Sequence, residues 1–278
     1  MDRAQFLALV AEIRPELHRY CARMTGSVAD GEDVVQDTLL RAFDALRDLA
    51  EVPSLRPWLF RIARNRAIDH LRSYHHRMRD DLDDEPSTDE PPDPLAVQAA
   101  VSWFAELPIT QRSCVILKDV LGHSIDEIVE LTAMSVPAAK AALHRGRVRL
   151  REVQRRALEE PPPPRSASPT IARYAQLFGA RDWDGVRTML ADDVRLHIVD
   201  IAKKEGKAEV GTYFSNYARF VGWRVAPAWL DGREVLAVVQ DDRAYFVELE
   251  VSGEQIVAIR DFRHVPYIAC DARIEVSR

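Results

Sequence analysis

The sequence predicts a multi-domain chain, with two all-α helical domains followed by an α+β domain. Three observations carry that expectation. Apolar residues recur at three- and four-residue steps through most of 6–158, as on amphipathic helices. From about residue 194 the pattern changes to alternating runs separated by turn dipeptides, as on half-buried strands. Two proline-bearing stretches, 80–95 and 159–168, divide the chain into pieces long enough to bury cores of their own. The expected boundaries are 1–79, 80–95, 96–158, 159–168 and 169–278.

The 278 residues carry a net charge of −6, but the acidity is uneven. Residues 80–95 hold eight carboxylates and no lysine or arginine, whereas 1–79 has 13 basic side chains against 11 acidic and 96–158 has 9 against 6. An acidic linker between two mildly basic helical blocks leaves nucleic-acid binding open. Cys21, Cys114 and Cys270 are far apart with no CxxC or histidine-rich neighbour, and read as reduced structural thiols without a metal. The N-terminus carries Asp2, Arg3, Glu12 and Arg14, and no long apolar run follows. Neither a signal peptide nor a membrane span is expected, and the placement expected is cytoplasmic.

In chain order, 6–24 reads as a helix with Phe6, Leu9, Val10, Ile13, Leu17 and Tyr20 on one face, and Pro15 predicts a kink or a break. Residues 25–27 turn the chain into a helix over 28–49. Its Asp30, Glu32, Asp33 and Asp37 suit the positive end of the helix dipole. The next stretch, 56–72, sets the theme. Trp58, Leu59, Ile62, Ala63, Ala67, Ile68 and Leu71 form an apolar stripe, with Arg56, Arg61, Arg64, Arg66, Arg72, Asn65 and His70 between them. A solvated surface is the ordinary use of such a helix. A second basic helix downstream favours a nucleic-acid backbone instead.

Past the linker, helices are expected around Trp103–Phe104–Leu107 and Val115–Leu121. Gly122 is a stop, and Ser124 with Glu127 forms a capping box. Ser135 caps a further helix opened by Pro137. Two short helices joined this way make a helix-turn-helix, whose second helix enters the DNA major groove by its N-terminal end. Arg145, Arg147, Arg149 and Arg151 favour phosphate contact. In the last domain, helices are expected at 170–180, 183–190 and 207–220. Strands are expected at 194–199, 225–230, 235–240, 245–251 and 256–262, with Asp231-Gly232 and Ser252-Gly253 as hairpin turns.

The run Glu32-Asp33-Val34-Val35-Gln36-Asp37-Thr38-Leu39-Leu40-Arg41-Ala42-Phe43 resembles the core helix of sigma domain 2 in extracytoplasmic-function (ECF) sigma factors, and 56–65 continues it into the promoter-melting helix. Leu107-Pro108, Gln111-Arg112, 122–128 and 143–147 resemble sigma domain 4. The C-terminal part is similar, more weakly, to SnoaL-like α+β cone domains. The resemblance implies a promoter-specificity subunit of bacterial RNA polymerase, not itself an enzyme. It places the polymerase clamp helices against Asp33, Gln36, Asp37 and Arg41, and a further contact on the polymerase flap. The loop 48–55, including Ser54, would read a flipped-out base of the minus-ten element. Arg56, Trp58, Arg61, Arg64, Asn65, Arg66, His70 and Arg72 would hold the separated strand.

By the same resemblance Ser135, Ala138, Ala139, Lys140, Ala142 and His144 face the minus-thirty-five element, with Arg145 and Arg147 on phosphates. Alanines pack on thymine methyls but make no bidentate guanine contact, so modest readout led by Lys140 is expected. The acidic linker would thread the polymerase RNA path as a phosphate mimic, although a solvated spacer has the same composition. His197, Asp200, Tyr213, Trp223, Asp261 and His264 are candidates for a tail pocket holding an unidentified small ligand, with no cofactor expected. The tail is expected to regulate in cis. Two alternatives stay open: a helix-turn-helix regulator with a ligand-sensing tail, and an enzyme in the tail.

Overall fold

The computed structural model describes residues 3–46, 54–74, 91–160, 163, 165–217, 222–240 and 243–276. The chain divides into two units, Met1–Pro162 and Pro163–Arg278. Unit one is helical: α1 (Arg3–Thr25), α2 (Val28–Leu46), α3 (Leu55–Tyr74), α4 (Pro94–Gln98), a 3-10 segment (Val101–Glu106), α5 (Ile109–Val115), a π-helical turn (Ile116–Val120), α6 (Ile125–Thr132) and α7 (Val136–Glu159). Most of the acidic linker and of the loop 48–55, expected to read a base, fall outside the described residues; Ser54 and Leu55 are described, and Ser54 is exposed.

Pro15 does not break α1, which runs unbroken on both sides of it. Val10, Ile13, Leu17 and Tyr20 are buried on either side of the proline, so packing outweighs the missing backbone hydrogen bond. Where α1 meets α2, a Cβ on Gly31 would lie 2.5 Å from the Ala22 backbone, so the two helices touch at their main chains. Next to this contact Glu32 is fully buried and accepts a 2.6 Å bond from Arg14. It is therefore a core ion pair rather than a surface acid serving the helix dipole.

Helices before and after the acidic stretch share one apolar core, running from Phe6 through Leu59 and Phe104 to Leu150. Arg112, 4% exposed, sits inside it. Its guanidinium donates to the carbonyls of Ala105 (2.7 Å), Leu107 (2.8 Å) and Met24. Burial pulls its pKa down to about 10. Tyr20 Oη lies 2.9 Å from Ser113 Oγ, and desolvation pushes that phenol's pKa up. Cys21 and Cys114 are buried and form no disulfide among the described residues; the Cys270 side chain lies outside the described residues.

Unit two is α+β: α8 (Pro169–Gly179), α9 (Trp183–Thr188), β1 (Leu190–Ile198), β2 (Ala202–Glu205), α10 (Lys207–Tyr217), β3 (Trp223–Leu230), β4 (Arg233–Gln240), β5 (Arg243–Ser252), β6 (Gln255–Asp261), a 3-10 segment (Pro266–Cys270) and β7 (Glu275–Val276). The strands form one sheet in the order β2-β1-β6-β5-β4-β3-β7. Strands β1 and β6 pair in parallel, and the other pairs are antiparallel. Leu196, Leu236, Val238, Val247 and Ile259 pack from the sheet against Ile171, Tyr174, Phe178, Val210 and Phe214 from the helices.

Asp231 and Gly232 both take positive φ (50° and 83°), as a two-residue hairpin turn between right-twisted strands requires. The second hairpin differs from expectation. Ser252 pairs with Gln255, so the turn residues are Gly253 and Glu254, with Gly253 at φ 61°. The sequence reading also omitted β2 and β7. Strand β2 is Ala-Lys-Lys-Glu at a sheet edge, where charge shields the unpaired backbone and no apolar alternation marks the strand.

Candidate nucleic-acid and partner interfaces

Helix α3 turns Leu59, Phe60, Ala63, Ala67 and Leu71 into the core, with Trp58 and Ile62 packed at its edge. Phe60 joins this inward set, between Leu59 and Arg61 in the chain; its ring meets Tyr20 at 5.6 Å. The opposite face is cationic. Arg56, Arg61, Asn65 and Arg72 are exposed, while Arg64, Arg66 and His70 are half-buried. Arg56 is engaged by Glu16 at 2.8 Å. Arg66 bonds Asp37 of α2 and, at 2.8 Å, Asp69. Arg61 and Arg72 are exposed with no carboxylate partner among the described residues, so this face of α3 stays cationic.

The expected polymerase-facing residues lie along α2. Asp33, Gln36 and Asp37 are half-buried and Arg41 is exposed. Gln36 donates to Glu32 at 3.3 Å, and Arg41 reaches Asp37 at 3.2 Å. Between α2 and α3 runs a groove of about 360 Å³ lined by Asp33, Val34, Asp37, Arg66, Asp69 and His70. His70 Nε2 stands 4.0 Å from Asp30.

The helix-turn-helix forms as its caps dictate. Ser124 accepts from the Glu127 amide at 3.2 Å, and Glu127 accepts from the Ser124 amide at 2.7 Å. Those bonds hold the Glu127 carboxyl below its usual pKa. Ala133 closes α6 in the left-handed region, φ 58°, a role the sequence did not signal because alanine seldom takes it. Ser135 caps α7 by accepting from the Ala138 amide.

On α7 the structure corrects several expectations. Ala139 and Ala142 are 0% and 2% exposed, packed with Leu143 and Leu150 rather than turned outward. Their spacing is that of the inward stripe, i, i+3, i+4, i+7. The outward positions at the start of α7 are Ser135, Val136 and Pro137, with Ala138, Lys140, His144 and Arg145 half-buried. Arg147, expected on phosphate, is 4% exposed. Its Nε and Nη2 bond the buried Asp119 at 2.9 and 2.6 Å, and Nη2 also donates to the Pro91 carbonyl at 2.9 Å. Arg149 donates to the Glu106 carbonyl and Arg151 pairs with Asp93, so neither is turned wholly to solvent.

In unit two the structure gathers Tyr213 and Asp261 but not the histidines. Asp261, 1% exposed, accepts from Tyr213 (2.5 Å), Tyr217 (2.7 Å) and the Arg263 amide (2.9 Å). Tyr245 Oη is 3.3 Å from Tyr217 Oη. Desolvation and the neighbouring Asp261 push the phenol pKa values of Tyr213, Tyr217 and Tyr245 up, so these hydroxyls are proton-bearing donors. Trp223 stands beside Tyr217, with ring centroids 4.9 Å apart, and the Arg263 guanidinium covers Trp223 at 4.9 Å. Tyr217 and Tyr245 were not singled out from the sequence, although Tyr213 and Tyr217 share a helix face by their i, i+4 spacing.

His264 and Asp200 are exposed, the latter in the turn after β1. His197 pairs in register with Arg260 rather than Asp261, and burial, Lys203 and Arg260 lower its pKa. Among the described residues, no group of three or more histidines, cysteines or carboxylates could hold a metal ion. No described helix is long and apolar enough to cross a membrane.

A cationic helix braced by an acidic one, joined in one unit to a helix-turn-helix, is an arrangement suited to nucleic-acid binding. The sigma-70 region 2 family matches residues 9–77 and the sigma-70 region 4 family matches 103–150. The ECF RNA polymerase sigma factor SigL of Mycobacterium tuberculosis is 34% identical over 152 residues, covering 51% of this chain and 85% of SigL. SigG of the same organism, also an ECF RNA polymerase sigma factor, is 33% identical over 215 residues, 66% of this chain and 58% of SigG. The chain thus spans less than two thirds of SigG. The crystal structure of the Mycobacterium tuberculosis sigma factor SigJ aligns with a TM-score of 0.37 at 22% identity, over 92% of this chain and 95% of that one. This chain belongs to the ECF RNA polymerase sigma factor family.

Proposed function

We propose that the chain is a promoter-specificity subunit of bacterial RNA polymerase, and that its C-terminal unit regulates this activity in cis. One observation carries the reading: the two sigma-70 regions lie in order within one helical unit, whose α3 keeps Arg61, Asn65 and Arg72 exposed. In this reading Asp33, Gln36, Asp37 and Arg41 meet the polymerase clamp. The cationic α3 face holds the separated minus-ten strand by phosphate contact, with Trp58 at the core's edge beside it. The start of α7 meets the minus-thirty-five element through Ser135, Lys140 and His144, with Arg145 on phosphate. Val136 and Pro137 add apolar surface suited to thymine methyls.

In this reading the tail acts as a regulator, and its buried Asp261 holds the unit's interior together by accepting from phenol and amide donors of its own unit. Tethering it by a short proline-bearing linker gives it a high effective concentration against the helical unit. Run-off transcription with core RNA polymerase tests both parts, comparing the full chain with a chain ending at Glu159. Promoter-dependent transcript from either establishes the sigma function. A difference between them establishes regulation by the tail, its sign giving the direction. No transcript from either across a promoter library refutes the reading, and equal transcript refutes the regulation.

A further inference from the structure

Asp37 stands where two surfaces meet. It lies on α2 among the residues assigned to polymerase, yet its carboxyl is bonded by Arg66 of α3, the helix assigned to the separated strand. Arg41 reaches the same carboxyl. Arg66 is held a second time by Asp69, so its Nε and Nη1 both point at carboxylates. A guanidinium is a planar fork of five N–H donors, and one whose Nε and Nη1 are turned to two acids is held away from a phosphate even though its Nη2 stays open. The surrounding groove, lined by Asp33, Asp37 and Asp69 with Arg66 and His70, is acidic on balance. A basic side chain of a partner would therefore find a carboxylate here and compete with Arg66 for it.

We propose that Asp37 is a positioning residue that links polymerase binding to DNA binding through Arg66. This rests on the sigma reading above. In the free chain Asp37 and Asp69 keep Arg66 on the groove. When a lysine or arginine of polymerase takes Asp37, Arg66 is released toward the phosphates of the melted strand. The linkage is reciprocal: strand phosphate that draws Arg66 away exposes Asp37 to polymerase. The pair is partly exposed, 26% for Arg66 and 40% for Asp37, so each bond contributes a factor of about two to five.

The test is anisotropy of a labelled A·T-rich single-stranded oligonucleotide binding to the full chain, with and without saturating core polymerase, over a salt series. Asp37→Asn is expected to tighten polymerase-free binding about two- to fivefold and to steepen the salt dependence by about one phosphate contact, a slope change of roughly 0.7 for a single strand. Asp69→Asn gives a smaller gain in the same direction. In an Arg66→Gln background the Asp37→Asn gain disappears, as a double-mutant cycle requires. Unchanged affinity and slope in Asp37→Asn, or a gain that survives Arg66→Gln, would overturn the linkage. If the wild-type chain with polymerase binds no oligonucleotide at all, the sigma reading itself fails, which the wild-type arm reports separately.

Discussion

Replacing Arg147 by methionine separates a structural arginine from a DNA-binding one. The guanidinium is 4% exposed and its partner Asp119 is fully buried. Asp119 also accepts from the Asp93 amide at 3.1 Å. Removing Arg147 leaves a buried carboxyl without its cation and frees the Pro91 carbonyl, and breaking a buried pair from one side costs about 3–5 kcal/mol. At about 1.4 kcal/mol per factor of ten, amide hydrogen exchange in α5, the π-helical turn and α7 should accelerate roughly 10²- to 10⁴-fold, where exchange follows the opening equilibrium. Pairing Arg147→Met with Asp119→Leu should restore most of the protection, because well-packed apolar replacements of buried ion pairs are often neutral or stabilising. The reasoning is refuted if Arg147→Met changes exchange less than about fivefold while weakening duplex binding with a shallower salt slope. That outcome would return Arg147 to the phosphate backbone.

Other expected outcomes follow from the same contacts. Gly31→Ala places a methyl 2.5 Å from the Ala22 backbone; overpacking of about 1–3 kcal/mol outweighs the helix-propensity gain of about 1 kcal/mol, and thermal scanning should show unit one melting several degrees lower, whereas a raised midpoint would contradict the main-chain contact. Tyr213→Phe removes a donor to the buried Asp261 and should cost about 1–3 kcal/mol by urea titration followed on the tail; no loss would mean that the carboxyl finds another partner. His197 has a folded pKa below its unfolded value. The unfolded chain therefore binds more protons there, and its contribution is present above about pH 6.5 and lost as pH falls toward the folded pKa. His197→Gln should flatten that part of the pH–stability curve of unit two, and an unchanged curve would show that the histidine is not its source.

The helical order was readable because caps and periodicity are local. Ser124 with Glu127 and Ser135 with Pro137 mark the starts of α6 and α7 within a few residues, and the structure makes those bonds. The strands of unit two were readable from alternation, except where an edge strand of charged residues carries none. Partnership was not readable. Arg147 and Arg145 look alike in sequence, but Arg147 points inward to Asp119, 28 residues away. Glu32 looks like a dipole acid until Arg14, 18 residues before it, closes over it. Resemblance set the minus-thirty-five face, yet helix phase decides it: Ala139 and Ala142 fall on the inward stripe with Leu143, Gly146 and Leu150. In the tail, Tyr245 of β5 meets Tyr217 of α10, which in turn donates to Asp261 of β6, and no single-element pattern announces such a meeting.

The shared core of unit one also bears on how the chain is made. Tyr20 meets Ser113 across 93 residues, and Arg112 reaches back 88 to the Met24 carbonyl. A ribosome adding about 5–20 residues per second delivers those partners roughly 5–20 s after α1 has emerged. During that interval Leu17, Met24 and Phe60 lack the neighbours that later cover them. Apolar surface left uncovered on the nascent N-terminal helices during that interval is aggregation-prone. The pace of translation through 26–111 sets how long that exposure lasts.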